Sequence, residues 1–423
     1  MPATFLVVTY GESGEVLPML SIVQGLVRRG HRVLVCLGEK FKHGALAAGG
    51  EYVPPHHYKD PLTQLESLSQ MGSNPLVRFL RMRDIRRTVL DSIPDLIRDL
   101  EGLIHRERVD CVLSGFLGMG VRYAAEHAGA LHASVSPNPL LVFDMRGRTV
   151  MRSEPWIPLL PRSLERKVMN LLLPVDPIRA SLGLPEEGDA SLPQFLGSSL
   201  SRSLHIITVH REFVPVPDST LRPGQVFVGP MSFDLPRSSA VPFPVESLAP
   251  GTVLVSATTT PLEPGVFART LEAIAPMEVP VLATVGSASV VPRGLGGHVR
   301  LEPYVPHEQV LPHISALVTH GGWGIVGRAL RHGVPMLITP LFGDQPLIAK
   351  RLAEQGLAYH LPVEKATRPA IREALTALLA DLALHARVKA VSERFANMDS
   401  PALAAEVLER FVDSHGRLSR QVA

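Results

Sequence analysis

The chain has 423 residues, of which 45% are hydrophobic and 19% are charged, and this combination favours a globular protein of two domains. Its 42 Lys and Arg residues nearly balance its 40 Asp and Glu residues, so no global charge attracts nucleic acid. No signal peptide or bilayer-spanning apolar stretch is evident, which predicts a cytoplasmic protein with at most peripheral membrane contact.

The first half of the chain alternates between strand and helix patterns. Its strand patterns are TFLVVTY, HRVLVCLG, EYVPP, DCVLSGF and LHASVSP. Helical patterns lie between them, in PMLSIVQGLVRRG and VRYAAEHAG. Apolar strands separated by helices predict a parallel sheet that is covered on both faces. Cys36 and Cys111 lie in such apolar runs, which indicates no disulfide framework.

Two segments interrupt this alternation, residues 74–104 and 160–174, and both mix basic with apolar side chains. We interpret them as amphipathic helices with a solvated basic face. The alternatives are a lid over an apolar substrate and a weak contact with anionic lipid.

The second half repeats the alternation after a stretch rich in Pro and Ser. Its strand patterns are TVLVSAT, VPVLATVG, HVRLEPY, ALVTHGG and VPMLITP. The composition predicts an N-terminal domain at 1–234, a linker at 235–250 and a second domain at 251–400. In sheets of this class, ligands bind where strands end and helices begin.

One such turn has the composition of a phosphate site. ALVTHGGWG is a strand that ends in a glycine-rich turn and is followed by a helix. Gly321, Gly322 and Gly324 allow backbone N–H groups to approach an anion, and the helix N-terminus adds its positive dipole. His320 can donate a hydrogen bond to the same phosphates or become positively charged beside them.

The next strand, VPMLITP, leads to an acid and an amide in GDQP. Asp344 and Gln345 suit sugar hydroxyls, because a carboxylate accepts hydrogen bonds while an amide both donates and accepts them. A diphosphate site beside such a pair predicts a nucleotide-sugar pocket. Capping of the following helix is the structural alternative for Asp344.

These motifs resemble those of glycosyltransferase family 1, the UDP-glycosyltransferase-like group with the GT-B fold. HGGWG and GVPMLITPLFGDQP are similar to its donor-binding signature, EPYVPHEQVLP to its base-binding segment and GESGEVLP to its N-terminal catalytic turn. The resemblance covers nearly the whole chain and is strongest to bacterial enzymes that glycosylate natural products and glycolipids. It implies two doubly wound Rossmann-like domains that face a cleft, with a C-terminal helix at 401–416 packed on the first domain.

The resemblance also implies roles in the donor pocket. Tyr304 would stack on the nucleobase, the backbone of Val305 would bind it, and Thr259 would add a hydroxyl near the diphosphate that His320 and the glycine turn hold. Three positions depart from the family pattern: Arg328 replaces a frequent Glu that accepts from the ribose, Ile325 replaces a Ser or Thr, and Thr258 replaces a glycine. The missing Glu puts UDP specificity in doubt, since dTDP needs that acceptor less. For Arg328 a solvated helix position is an equally good reading.

The resemblance places Glu15 where plant members have a catalytic His, and Ser114 where they have the Asp that orients it. A carboxylate base needs no such partner, so the two departures agree with each other. Glu15 is therefore the candidate general base, with Glu12 as its rival in the same turn. A helix-start acid is the structural alternative for Glu15.

The acceptor site is the least readable part of the sequence. Ser136 and Asn138 end a strand of the first domain in SPNP and are candidate acceptor contacts, although a plain turn explains them equally well. The loops expected to shape this site are rich in apolar residues, which favours an apolar, drug-like or lipid-like acceptor.

The predicted function is thus an inverting glycosyltransferase that uses a dTDP- or UDP-sugar, with no metal or other cofactor. Two alternatives remain open at this point: a nucleotide-sugar epimerase or hydrolase, and a non-catalytic relative that binds the nucleotide sugar or assists another glycosyltransferase. A homodimer is possible, and the sequence does not indicate the sugar or the acceptor.

Overall fold

The computed structural model describes residues 2–58, 75–150, 162–186, 192–236, 243–256, 265–285 and 290–421. The chain folds into two compact units. The first comprises Met1–Gly229 together with Asp399–Ala423, and the second comprises Pro230–Met398. The described residues of the segment that the sequence marks as a linker belong to the second unit.

The first unit is built on a parallel sheet of seven strands, counted over the described residues. They are β1 (Thr4–Val8), β2 (Arg32–Cys36), β3 (Glu51–Tyr52), β4 (Cys111–Gly115), β5 (Leu131–Ser136), β6 (Leu204–Ile207) and β7 (Gln225–Phe227). Their order is β3-β2-β1-β4-β5-β6-β7. The five strand patterns of the sequence correspond to β1–β5, and the short strands β6 and β7 were not predicted.

Helices of the first unit cover this sheet. They are α1 (Ser13–Arg28), α2 (Lys42–Ala47), α3 (Pro75–Glu107), α4 (Val121–His127), α5 (Arg162–Leu172), α6 (Asp176–Ser181), α7 (Gln194–Gly197) and, much later in the chain, α14 (Ser400–Gln421). Helix α3 buries Ile93, Leu96 and Leu100 in the core while Arg98 is exposed, so α3 is amphipathic from residue 87 onward, and the side chains of residues 75–86 lie outside the described part. Cys36 and Cys111 are buried and form no disulfide.

The second unit is built on a parallel sheet of six strands, again counted over the described residues. They are β8 (Val253–Ser256), β9 (Val281–Thr284), β10 (Val299–Glu302), β11 (Ala316–Thr319), β12 (Met336–Ile338) and β13 (Ala358–His360), in the order β10-β9-β8-β11-β12-β13. Its helices are α8 (Val266–Ile274), α9 (His307–Val310), α10 (Trp323–His332), α11 (Gln345–Glu354), α12 (Arg368–Ala380) and α13 (Leu382–Phe395).

In each sheet the strand order reverses once. Two strands are added on one side of the first strand, and the chain then returns so that the next strand pairs with its other side. The reversal lies between β1 and β4 in the first unit and between β8 and β11 in the second. Ligands of doubly wound folds bind at the carboxyl ends of the strands that flank such a reversal. The turn GESGEVLP follows β1 and the turn HGGWG follows β11, so both predicted functional turns lie at these points.

Candidate active site

The glycine turn after β11 gives each of its three glycines a different structural setting. Gly321 has φ +87°, and a Cβ there would lie 2.5 Å from Ile338 Cγ2. Gly322 caps α10, and a Cβ there would lie 2.9 Å from His320 Nε2. A Cβ on Gly324, the second residue of α10, would meet nothing within 4 Å. Packing therefore explains the first two glycines but gives no reason for the third.

His320 lies one residue beyond β11, beside this turn. Burial lowers the pKa of its ring to about 4, although the backbone of Ser256 opposes this shift. The ring is therefore neutral at pH 7, and the positively charged form allowed by the sequence is not the resting form of the protein. As a neutral imidazole it can donate one hydrogen bond to a ligand.

Asp344 and Gln345 lie at the start of α11, and the structure gives them different settings. Burial raises the pKa of Asp344 to about 6, and its side chain makes no capping hydrogen bond to α11 within the described part of the chain. The Oε1 atom of Gln345 accepts hydrogen bonds from the backbone N–H groups of Leu341 and Phe342, at 2.8 and 3.2 Å. Gln345 thus holds the loop that precedes it, and its NH₂ group is the part that can serve a ligand.

Tyr304 and Val305 follow β10, in the segment predicted to bind the base. Val305 is fully buried. The hydroxyl of Tyr304 donates a hydrogen bond to the carbonyl of Leu235, at 3.4 Å. The start of the second unit therefore packs behind the predicted base-binding segment. Thr259 and Thr258 lie outside the described residues.

A buried ionic network behind this segment was not predicted from the sequence. Arg328, only 6% exposed, donates to Asp234 Oδ1 at 2.5 Å and to the Phe233 carbonyl at 2.7 Å. Its Nε lies 3.6 Å from Glu308 Oε1, and His332 Nε2 lies 3.0 Å from the other oxygen of Glu308. Although burial opposes it, His332 and Arg328 lower the pKa of Glu308 to about 2. Arg328 is thus a buried structural cation, and its reading as a solvated helix residue is wrong.

In the first unit, the two candidate bases have distinct positions. Glu12 directly precedes α1, and its carboxylate pairs with Lys40 Nζ at 2.7 Å. Glu15 lies in the first turn of α1, and its backbone N–H donates to the Glu12 carbonyl at 2.9 Å. Glu12 is thus ion-paired with Lys40, which lies in the short helix Glu39–Phe41 after β2.

Ser114, where the resemblance implies an Asp partner, is fully buried near the end of β4. Its hydroxyl donates to the Ser199 carbonyl at 2.9 Å and lies 2.9 Å from His132 Nε2. Burial lowers the pKa of His132 to about 3, so His132 is neutral and donates to Ser114. Position 114 is thus part of the internal packing of the sheet.

The two candidate acceptor contacts also differ. Ser136 ends β5, and its hydroxyl is buried without a hydrogen-bond partner among the described residues. The side chain of Asn138 accepts a hydrogen bond from the Leu140 N–H at 3.1 Å and so caps the short helix at residues 139–141. The turn role that the sequence allowed for Asn138 is therefore present.

Two further features concern the described residues only. No group of three or more His, Cys, Asp or Glu side chains among them is arranged to hold a metal ion. No helix formed by them is long and apolar enough to cross a membrane.

Comparison with known proteins adds the following findings. Residues 268–413 match the family described as erythromycin biosynthesis protein CIII-like, C-terminal domain. The chain is 25% identical to 4'-demethylrebeccamycin synthase of Lentzea aerocolonigenes, over 97% of this chain and 100% of that protein. It is 25% identical to oleandomycin glycosyltransferase of Streptomyces antibioticus, over 96% of this chain and 90% of that protein.

Solved structures show the same fold. The glycosyltransferase of kitacinnamycin matches with a TM-score of 0.72 and 21% identity, covering 97% of this chain and 99% of that one. The glycosyltransferase VinC in complex with dTDP matches with a TM-score of 0.69 and 18% identity, covering 97% and 100%. The predicted GT-B fold and the predicted resemblance to glycosyltransferases are confirmed.

Proposed function

We propose a specific reaction for this chain, which has the GT-B fold and whose residues 268–413 match the erythromycin biosynthesis protein CIII-like C-terminal domain. It transfers a sugar, with inversion, from a nucleoside diphosphate to a hydroxyl of an apolar small molecule. The observation that carries this proposal is the glycine turn that opens α10, with free space beside Gly324. Such a turn offers backbone N–H groups and a helix dipole to a diphosphate.

Thymidine diphosphate is the nucleotide that we propose. At position 328, where a Glu would accept from the ribose, the guanidinium of Arg328 is engaged with Asp234 and the Phe233 carbonyl. A deoxyribose lacks the 2'-hydroxyl and loses less from this replacement. The dTDP bound to VinC supports the same choice. At equal concentrations, dTDP should raise the unfolding temperature more than UDP does, by mass action on the native state.

The sugar is the proposed ligand of Asp344. Its side chain is partly buried and makes no capping hydrogen bond to α11 within the described residues, and at pH 7 it is mainly ionised, so it can accept from sugar hydroxyls. The variant Asp344→Asn should weaken binding of the dTDP-sugar while leaving binding of dTDP itself unchanged, because dTDP has no sugar hydroxyls at that place. Equal losses for both ligands would assign Asp344 to the nucleotide or to the fold.

The negative charge of the departing dTDP is stabilised, in this proposal, by the turn's N–H groups, the α10 dipole and the N–H of neutral His320. A metal ion is then not needed for the transfer. Activity measured after dialysis against EDTA should equal that measured with added Mg²⁺. A loss that Mg²⁺ restores would contradict this part of the proposal.

Glu15 is the proposed general base. The acceptor oxygen attacks the anomeric carbon, the bond from that carbon to the diphosphate oxygen breaks, and the acceptor proton passes to the Glu15 carboxylate. Glu15 is preferred to Glu12 because it is the position that matches the family's catalytic residue, while Glu12 in the same turn forms an exposed ion pair with Lys40. Glu15→Gln should lower kcat by about 10² to 10⁴ with dTDP affinity unchanged.

Glu12→Gln is the matched control, since it removes one carboxylate from the same turn. It should retain kcat within severalfold. If the two variants exchange these effects, Glu12 is the base. If wild-type protein releases no dTDP from any donor with a broad acceptor panel, the proposed transfer itself fails.

An apolar natural product is the proposed acceptor. Relatives along nearly the whole chain include the rebeccamycin and oleandomycin enzymes, and the buried hydroxyl of Ser136 at the end of β5 is a candidate acceptor contact. A panel of polyketide, macrolide and lipid-like alcohols tests this class. Transfer to sugars or polysaccharides alone would contradict it.

A further inference from the structure

A small cavity lies within the second unit, between α8 and the ends of β11 and β12. Its volume is about 30 Å³, and its apolar wall includes Val266, Phe267 and Leu341. His320 and Thr339 also line it. A water molecule needs about 10–15 Å³ of such volume together with polar partners, so the cavity has room for one ordered water.

The polar partners are present on the cavity wall. His320 Nδ1 and Thr339 Oγ1 are both buried and have no hydrogen-bond partner among the described residues. Buried polar atoms in native proteins are nearly always hydrogen-bonded, to protein or to ordered water. Two such atoms at one cavity are the observation that supports an ordered water between them, beside the interaction of the Ser256 backbone with the same ring.

Strand register brings these two residues side by side. Thr319 is the register partner of Ile338, and the Thr339 N–H donates to the Thr319 carbonyl at 2.9 Å. His320 and Thr339 are thus the next residues along two neighbouring parallel strands. At the same level of a parallel sheet, neighbouring side chains point to the same face, which explains why both reach one cavity.

The other ring nitrogen of His320 lies on the opposite side. A Cβ built on Gly322 would lie 2.9 Å from His320 Nε2, so Nε2 faces the turn that opens α10. A neutral imidazole carries one proton, so one ring nitrogen is a donor and the other can only accept a hydrogen bond. The group that Nδ1 contacts therefore decides whether Nε2 presents a proton or a lone pair to a diphosphate.

We infer that Thr339 is a positioning residue for His320: through a water molecule in this cavity, its hydroxyl keeps Nδ1 as the acceptor and the ring proton on Nε2. The water donates one hydrogen to Nδ1 and exchanges a second hydrogen bond with Thr339 Oγ1. The Nε2–H is then directed at the diphosphate. This inference rests on the proposed function for its consequence in binding, but the ring tautomer can be measured without any ligand.

The rival arrangement uses the backbone of Ser256, which interacts with the ring and favours its protonated form. If the Ser256 carbonyl accepted a proton held on Nδ1, then Nε2 would present a lone pair to the phosphates. The two arrangements therefore predict opposite tautomers for the ligand-free protein.

Long-range ¹H–¹⁵N NMR of histidine-labelled full-length protein distinguishes them, with the His320 signal assigned by its loss in His320→Gln. We expect the proton on Nε2 in the wild type and a mixture of tautomers in Thr339→Val, which removes the hydroxyl at nearly constant volume. Thr339→Ser keeps the hydroxyl and should keep the wild-type tautomer. A ring proton on Nδ1 in the wild type overturns the inference, whatever the variants do.

Calorimetric binding of dTDP supplies the second readout. Thr339→Val should weaken dTDP about tenfold, and Thr339→Ser should remain within twofold of the wild type. Thr270→Val is the matched control, because Thr270 also lines the cavity and should have no effect. Wild-type affinity in Thr339→Val overturns the inference. If wild-type protein binds neither dTDP nor UDP, the proposed function fails, and the tautomer measurement still decides the role of Thr339.

Discussion

Gly324 offers a test in which helix stability and ligand binding should change in opposite directions. It is the second residue of α10, and an added Cβ would meet nothing within 4 Å. Glycine within a helix is less favourable than alanine by about 0.5–1 kcal/mol, because it loses more conformational freedom on folding. Gly324→Ala should therefore raise the free energy of unfolding by up to about that amount.

Binding should respond in the other direction. If the diphosphate lies against the N–H groups of this turn, it occupies the space that the added methyl group would take. Losing one hydrogen bond to a charged group costs about 1.5–3 kcal/mol, which corresponds to roughly 10- to 150-fold in Kd. The variant should thus be more stable than the wild type but bind dTDP at least about tenfold more weakly.

Urea unfolding and titration calorimetry with dTDP measure the two effects. Gly102→Ala is the matched control, because Gly102 is an exposed position of α3 with nothing within 4 Å of an added Cβ. It should give a similar gain in stability with unchanged dTDP binding. If Gly324→Ala gains stability and binds dTDP within twofold of the wild type, the diphosphate does not lie against Gly324 and the proposed donor site is wrong there.

Three further predictions concern buried charges. Arg328→Met should destabilise the second unit by about 3–5 kcal/mol in urea unfolding, because it leaves Asp234 without its Arg328 partner and Glu308 with only His332 as a cationic partner; a loss below about 1 kcal/mol would show that the network is dispensable. Glu126 lies 2.5 Å from both Arg122 and Arg179, so Glu126→Gln should lower the unfolding temperature of the first unit, whereas an unchanged temperature would contradict its bridging role. Acid should also destabilise the protein. Burial lowers the pKa of four histidines to about 3 or 4: His132, His205, His307 and His320. Between about pH 6.5 and 4, these histidines bind protons in the unfolded chain but not in the folded chain. As the pH is lowered through this range, the free energy of unfolding should therefore fall by up to about 1.4 kcal/mol per histidine per pH unit. The raised pKa of Asp344, about 6, opposes this by one proton. Urea unfolding at pH 7, 6 and 5 checks the slope, and a flat profile would refute it.

Much of the fold was predictable because a parallel sheet buries both faces of its strands. Runs such as VLVS in β8 and ALVT in β11 are apolar at nearly every position, and this pattern is visible in the sequence. The strands β6 (LHII), β7 (QVF) and β13 (AYH) were not predicted, because each contains a His or Gln that interrupts the apolar run. Strand order was not predictable, because it depends on pairing between distant segments.

The candidate site was predictable where a residue type alone implies a role. Glycines before a helix and an acid after a strand predict a donor turn from the sequence, and the structure places both at the ends of neighbouring strands of the second unit. The role of Arg328 was not predictable, since its partner Asp234 is 94 residues away in the chain. Gln345 was predicted from its amide group, but its oxygen is used by the loop backbone, and only the structure reveals such a competing partner.

The packing of α14 on α1 affects the order in which the protein can mature on the ribosome. A Cβ on Gly25 would collide with the Pro401 carbonyl, and Glu409 binds His31 at 2.7 Å, so α14 fits closely against the rest of the first unit. Yet Asp399–Ala423 is translated only after Pro230–Met398 has been made. At about 5–20 residues per second, that delay is roughly 10–30 s. During this interval one side of α1 is uncovered, and a nascent chain that stalls there presents an apolar helix face to chaperones.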